Sequence, residues 1–224
     1  MQIVVVRYAK HRNCMKNLKF KVAALLSVGL LLGSCIEHEV IPAPVPTVDL
    51  KCSFAGTING TGVEWTQNVQ GYNCYTDKTK YLVSSPQLSS AVYYSEMSSS
   101  QTLVSIKVGM GSVMWDAGSV ADPTLPIFNG FFLSNLTPNY SNGSSNGIEV
   151  QYRDALGKIW TSKDNSVNFQ NAIFSNIKQE SDATGDYNMY TLNFECYVYH
   201  YDIGLDELDS LRIQNAVLKA WFKR

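Results

Sequence analysis

The stretch Ile148-Glu149-Val150-Gln151-Tyr152-Arg153 alternates apolar and polar side chains, and it is followed by Asp154-Ala155-Leu156-Gly157 and then by residues 158–162. Alternation with a period of two is typical of a strand that has one buried and one exposed face. The four residues after it favour a turn, and residues 158–162 return as a second strand around Trp160. The stretch therefore predicts a β-hairpin.

The same alternation predicts strands elsewhere in residues 49–224. A second hairpin joins residues 172–179 and 187–201 through a turn at 182–186, and a last strand covers residues 211–222. Nearer the N-terminus, strands are predicted at 51–59, 81–85, 91–97 and 101–108, the first ending at Asn59-Gly60. Residues 109–146 are rich in turn residues, and their apolar part, 127–136, fits either a strand or a short helix.

Eight or more short antiparallel strands predict an all-β fold. Residues 49–224 contain no second linker, so they are expected to form a single domain, which is long enough to bury about 70% of its unfolded surface. An antiparallel β-sandwich is the favoured architecture, with a β-barrel-like closure as the alternative.

Leu32-Gly33-Ser34-Cys35 resembles the lipobox of a bacterial lipoprotein. It follows a basic segment and an apolar run, 22–32, which is shorter than the roughly 20 residues that span a bilayer. Residues 1–34 are therefore expected to be a lipoprotein signal peptide, with Met15 as an alternative start site. Its removal leaves Cys35 as the first residue of the mature protein, where it is acylated.

Residues 35–48 contain the lipidated cysteine and a proline-rich tether. Pro42, Pro44 and Pro46 favour extended polyproline II, and about a dozen such residues span on the order of 40 Å. Ile36 stands where inner-membrane lipoproteins carry aspartate, which favours the outer membrane. The sequence leaves open whether the protein faces the periplasm or the cell surface.

The charge distribution restricts the partners. Six of the 18 Lys and Arg precede Cys35 and all 19 Asp and Glu follow it, which leaves 12 basic against 19 acidic residues and a net charge of −7. Phosphate binding needs clustered Lys and Arg, so nucleic acid is not expected as a partner. Anionic headgroups are disfavoured too, and the membrane is expected to be reached through the lipid.

Three segments together resemble a group of small Bacteroidota lipoproteins. They are residues 52–60 followed by Trp65, residues 152–160, and Gly185-Asp186-Tyr187 leading to Phe194-Glu195-Cys196. The resemblance implies a β-rich domain on an envelope lipid anchor. It implies no activity and no catalytic residue.

Three cysteines remain once Cys14 is removed and Cys35 is acylated. An extracytoplasmic site permits disulfides, and an odd number predicts one bridge and one free thiol. Cys52 with Cys74 is the candidate pair, closing a loop of about 22 residues at a gain of roughly 3 kcal/mol. Cys196 shares the strand face of Phe194 and is expected to be a small core residue, but the sequence does not assign the pairing.

No catalytic mechanism, metal site or cofactor is predicted. His200 is the lone histidine after residue 49, and on a straight strand it lies about 13 Å from Cys196, too far to share a metal. Glu149 and Glu195 fall on polar strand faces without spacing that pairs them. The acidic run formed by Asp202, Asp206, Glu207 and Asp209 offers oxygen ligands for calcium, but it lacks the glycine pattern of an EF-hand.

Tyr197, Tyr199 and Tyr201 fall on the face opposite Phe194 and Val198, about 6.6 Å apart along the strand. Aromatic rings at that spacing can stack on sugars, although tyrosine also suits a half-exposed strand. The favoured hypothesis is a non-catalytic binding or accessory lipoprotein whose partner is a glycan or an envelope protein. The alternatives are a structural envelope lipoprotein without a small-molecule site and a glycoside hydrolase that uses a carboxylate pair.

Overall fold

Ten β-strands and one α-helix make up most of the described chain. The structure, a computed structural model, describes residues 45, 47–118, 120–164, 170–202, 204 and 207–224. The strands are β1 (Ser53–Ile58), β2 (Thr61–Thr66), β3 (Tyr72–Tyr81), β4 (Ser89–Ser99), β5 (Ser105–Trp115), β6 (Gly147–Arg153), β7 (Ile159–Ser162), β8 (Asn171–Asp182), β9 (Gly185–Asp202) and β10 (Glu207–Lys223). The helix α1 covers Leu125–Ser134, and a 3₁₀ turn covers Ser144–Asn146.

The strands form one antiparallel sheet in the order β2-β1-β10-β9-β7-β6-β5-β4-β3. The strand β8 is added beside β9, which pairs with β8 up to Glu195 and with β7 at Val198 and Tyr199. Because two strands share one edge of β9, the sheet branches there. Its two ends, β2 and β3, are not paired into a closed barrel.

The sheet folds over on itself and encloses one hydrophobic core. The hydroxyl of Ser95 on β4 donates a hydrogen bond to the carbonyl oxygen of Trp221 on β10, although these strands are far apart in the sheet order. Side chains from both layers, among them Phe54, Tyr93 and Leu192, are buried in this core. The fold is therefore an all-β antiparallel sandwich, as predicted.

A β-bulge bends the long strand β10, which pairs along most of its length with β9. The register between these strands shifts between Ile213 and Ala216, and Asn215 takes a positive φ of 49° there. The facing strand β1 shifts register at the same level, between Ala55 and Thr57. Bulges increase local twist and bend a strand, which lets β10 follow the curvature of the sandwich.

The helix α1 packs against the core through aromatic side chains. Phe128 and Phe132, four residues apart and therefore on one face, are both buried. The ring of Phe132 stacks on Phe222 of β10 at 4.6 Å, and that of Phe128 lies 4.9 Å from Tyr93. The apolar stretch 127–136 is thus helical as far as Ser134, where α1 ends, and is not a strand.

Most of the predicted strands are confirmed. The hairpin of 148–162 forms β6 and β7, and the second hairpin forms β8 and β9 around a turn that begins after Asp182. The strands predicted at 51–59, 91–97 and 211–222 correspond to β1, β4 and β10. Asn59 and Gly60 both take positive φ, 48° and 81°, as a two-residue hairpin turn of type I′ requires.

Two predictions differ from the structure, and two strands were not predicted. Residues 81–85 are not a strand: Tyr81 ends β3, and residues 82–84 are irregular. The strand β2 and residues 72–80 of β3 had no strand prediction, because both are edge strands with few buried apolar residues. The strand predicted at 101–108 begins only at Ser105 and continues to Trp115, through Gly109 and Gly111, which interrupt the apolar pattern.

Candidate functional site

The three predicted tyrosines lie side by side on the outer face of β9. The alternate residues of this strand, including Phe194, Cys196 and Val198, are buried in the core. Tyr197 and Tyr199 are half-buried on the opposite face, and Tyr201 is 53% exposed at its end. The three tyrosines extend over about 13 Å along the strand, from Tyr197 to Tyr201.

Two exposed apolar side chains flank Tyr201, and together the three form what we call the apolar row. Leu208 of β10 pairs directly with Tyr201 and is 49% exposed. Ile159 of β7 is 46% exposed and lies on the other side of β9, since Thr161, two residues further on, pairs with Tyr199. Because neighbouring strands lie about 4.8 Å apart, the apolar row spans about 10 Å across three strands.

Cationic side chains lie against the other two tyrosines. The Lys163 Nζ lies 4.3 Å from the centroid of the Tyr199 ring, and the Arg212 guanidinium carbon lies 5.7 Å from that of Tyr197. Contacts of this length are within the range of cation–π attraction. Partial burial, aided by the neighbouring Tyr197, raises the pKa of Tyr199, so its phenol stays protonated and able to donate a hydrogen bond at neutral pH.

The outer face continues from the tyrosines as a polar strip. Thr161, Gln151, Lys107 and Glu96 follow one another in register across β7, β6, β5 and β4. A shallow depression of about 50 Å³ lies along this strip, and Ile159 of the apolar row belongs to its lining. Exposed apolar contact area and hydrogen-bonding groups therefore lie next to each other on one open surface.

Sequence reasoning identified the tyrosines but missed Leu208, Ile159 and Lys163. The polar alternation of β6 and β7 already indicated that Ile159 faces away from the buried Trp160. What the sequence did not contain is the strand order, which places β7 and β10 on either side of β9. Neighbours across strands cannot be read from a period of two along one strand.

The two carboxylates considered for acid–base chemistry are each held by local partners. Glu149 accepts hydrogen bonds from the backbone N–H of Gly143 at 2.7 Å and from the Gln151 amide at 2.9 Å. Glu195 lies 3.8 Å from Arg212 as an ion pair. These contacts position both groups as parts of the outer-face polar network.

His200 and Cys196 have separate surroundings. The Nδ1 of His200 lies 2.8 Å from the carbonyl oxygen of Ile159, and its ring packs 5.6 Å from that of Trp160. Cys196 is buried beside the hydroxyl of Tyr140, and burial raises the pKa of its thiol to about 12. A thiol with that pKa stays protonated at neutral pH and is a poor nucleophile.

The acidic run lies at the β9–β10 hairpin. Asp202 and Glu207 pair with each other as the last residue of β9 and the first of β10, and Asp206 lies outside the described residues. The Asp209 carboxylate accepts a hydrogen bond from Lys158 at 3.1 Å. Among the residues that the structure describes, no group of three or more His, Cys, Asp or Glu side chains is arranged to hold a metal ion.

The predicted lipidation site, Cys35, and most of the tether, residues 36–44 and Pro46, lie outside the described residues. Within the described part of the chain, no helix has the length and apolar character needed to cross a bilayer. No protein-family model, curated protein or solved structure matches the chain. The basis for a functional proposal is therefore the outer face of β9 together with the N-terminal sequence.

Proposed function

We propose that this protein is a lipid-anchored binding protein of the bacterial cell envelope that recognises a glycan on the outer face of β9. The observation that carries the proposal is the apolar row, Leu208, Tyr201 and Ile159, which continues into the cation-flanked rings of Tyr199 and Tyr197. Large apolar side chains exposed together on neighbouring strands cost solvation free energy, and such patches mark binding surfaces.

The chemistry of this surface suits a carbohydrate. Sugar rings present apolar C–H faces that pack on aromatic rings and hydroxyl groups that need hydrogen-bond partners. Tyr201 supplies an accessible ring, and the adjoining strip supplies donors in Gln151 and Lys107. The surface is open rather than a deep cleft, so it suits an extended oligosaccharide chain lying across the strands.

A glycan array tests the proposal, with three forms of the purified protein applied under the same conditions. We expect the wild type to bind at least one oligosaccharide class and Tyr201→Ala to lose most of the signal, because an aromatic contact is worth roughly 1 kcal/mol or more. Tyr81→Ala is the matched control: Tyr81 is 70% exposed and lies on β3, five strands from β9. Absence of binding by the wild type would contradict glycan recognition and favour a structural envelope role.

The lipid anchor is the second part of the proposal and rests on the sequence around Cys35. We expect cells fed an alkyne-tagged fatty acid to label the wild-type protein, and Cys35→Ser to abolish the label and release the protein from the membrane fraction. Cys14→Ser is the control, since Cys14 lies in the segment that processing removes. Labelling that survives in Cys35→Ser would contradict the assignment.

Incubation with the same glycans distinguishes a glycoside hydrolase from a binding protein. Incubation of the bound oligosaccharide with the wild type should leave it intact, because binding by stacking and hydrogen bonds breaks no glycosidic bond. Release of shorter sugars, lost in Glu149→Gln or Glu195→Gln, would instead favour a carboxylate mechanism.

A further inference from the structure

Cys52 and Cys74 lie in the parts of the chain that begin and end the sheet. Cys52 is buried immediately before β1, and its backbone N–H donates a hydrogen bond to the side-chain oxygen of Gln67 at 3.0 Å. Cys74 is the third residue of β3 and pairs with Met97 of β4. The sequence alone did not show which two of Cys52, Cys74 and Cys196 form a pair.

The two ends of the sheet meet near these cysteines. The described strands β2 and β3 share no ladder of backbone hydrogen bonds, although residues 67–71 connect them directly. Their contact is made by side chains: the rings of Trp65 and Tyr72 stack at 5.0 Å with an interplanar angle of 10°. At the seam between β2 and β3, side-chain contacts therefore take the place of a backbone ladder.

The thiols of Cys52 and Cys74 are in contact across this seam. They hydrogen bond to each other, which lowers the pKa of Cys52 and raises that of Cys74. The strand register agrees with this contact. The backbone of Trp221 contacts Cys74, and Trp221 lies on β10 two residues from Lys219, which pairs with Ser53 next to Cys52.

Cys196 lies apart from this pair. It is buried on β9 with its thiol beside the Tyr140 hydroxyl, which also donates a hydrogen bond to the carbonyl oxygen of Asn171 at 3.1 Å. Cys196 therefore has a local partner of its own, and of the three cysteines it is the one expected to remain a free thiol.

We propose that Cys52 and Cys74 form a disulfide bond that closes the seam between the two ends of the sheet. Both residues are present as thiols in the structure. The bond forms by exchange with an exogenous disulfide, for which oxidised glutathione is the simplest reagent. The Cys52 thiolate attacks one glutathione sulfur and releases the first glutathione thiolate; Cys74 then loses its proton and displaces the second, so that two electrons and two protons end on two glutathione molecules.

Peptide mapping of the full chain tests the bond directly. The protein is incubated with a glutathione redox buffer, alkylated and digested with trypsin, which leaves both cysteines in the peptide 52–78. We expect this peptide to be two hydrogens lighter than the reduced form and to take up no alkylating reagent. Further cleavage after Glu64 should give two fragments that separate only after reduction.

Thermal unfolding provides the second measurement. A bridge closing a loop of this length should raise Tm by roughly 6–12 °C over the reduced protein. We expect Cys52→Ser and Cys74→Ser each to abolish that difference between oxidised and reduced samples, and Cys196→Ala to retain it. Alkylation of both Cys52 and Cys74 after oxidation, or a bridge that includes Cys196, would overturn the proposal.

Discussion

Gly109 is required by a close approach between β5 and the 3₁₀ turn. A Cβ atom at this position would lie 2.1 Å from the Ser144 hydroxyl oxygen and 2.7 Å from a ring carbon of Tyr94. Ser144 is buried, so it cannot simply move into solvent. Gly109 therefore lets the segment before β6 pack on the outer face of the sheet, beside the polar strip.

We expect Gly109→Ala to lower the free energy of unfolding by about 1–3 kcal/mol, because an added methyl group in a filled site forces its neighbours apart. Urea-induced unfolding measures the change. Gly62→Ala on β2 is the matched control, since no atom beyond Gly62 and its two chain neighbours lies within 4 Å of the position that the added methyl group would take, and it should be close to neutral. Equal stability of the two variants would show that the approach at Gly109 is not tight.

Asp182 fixes the turn between β8 and β9 to the start of the domain. Its carboxylate accepts hydrogen bonds from the backbone N–H of Val48 at 2.9 Å and of Thr184 at 2.7 Å. The hydroxyl of Thr184 donates another at 2.6 Å. These bonds, that of the Thr184 hydroxyl first, lower the pKa of Asp182 to about 2.

This pKa predicts a pH dependence. The pKa of an aspartate in the unfolded chain is about 3.9, and because the folded value is lower, the contribution of Asp182 is complete well above pH 4 and is lost as the pH falls towards 2. We expect Asp182→Asn to melt below the wild type at pH 6 and the two melting temperatures to converge near pH 2. A gap that stays constant over this range would contradict the assignment.

At the scale of elements, α1 is held by aromatic packing rather than by its ends. No side chain caps its N-terminus, and it carries no acidic residue in its first turn. Its buried face is provided by Phe128 and Phe132, which join the rings of Tyr93 and Phe222. The helix should therefore depend on this cluster for its stability.

We expect Phe132→Ala to lower the free energy of unfolding by about 3–5 kcal/mol, as for other buried phenylalanines. Leu133→Ala changes the next residue, which is half-exposed, and should cost under about 1 kcal/mol. Chemical denaturation of both variants measures the difference. Similar small losses would mean that α1 contributes little to the core.

Elements were predictable where one face is buried and the other exposed. The hairpins built by β6, β7, β8 and β9 have this pattern, so a period of two located them. The strand β3 lacks this pattern, because its C-terminal half contains the polar residues Lys78-Thr79-Lys80. It also lies at an edge of the sheet, where lysine is favoured because it discourages pairing with other chains. The length of β5 was missed because Gly109 serves a tertiary contact that local sequence does not reveal.

At the scale of the whole molecule, the order of the strands creates the candidate site. Tyr201 was predictable from the sequence, but its exposure beside Leu208 and Ile159 follows from β10 and β7 both flanking β9. The predicted anchor at Cys35 would present this surface outside the cytoplasm, at the end of an extended tether. From that position, glycans of the envelope or of its surroundings would be accessible to the proposed site.

The most direct test is a calorimetric titration of the glycan selected on the array into the wild type, Tyr201→Ala, Leu208→Ser and Tyr81→Ala. We expect the first two variants to weaken binding about tenfold each, which corresponds to roughly 1.4 kcal/mol, because both remove contact area from the apolar row. Tyr81→Ala should bind as the wild type does. Unchanged affinity in Tyr201→Ala and Leu208→Ser would contradict recognition by the outer face of β9.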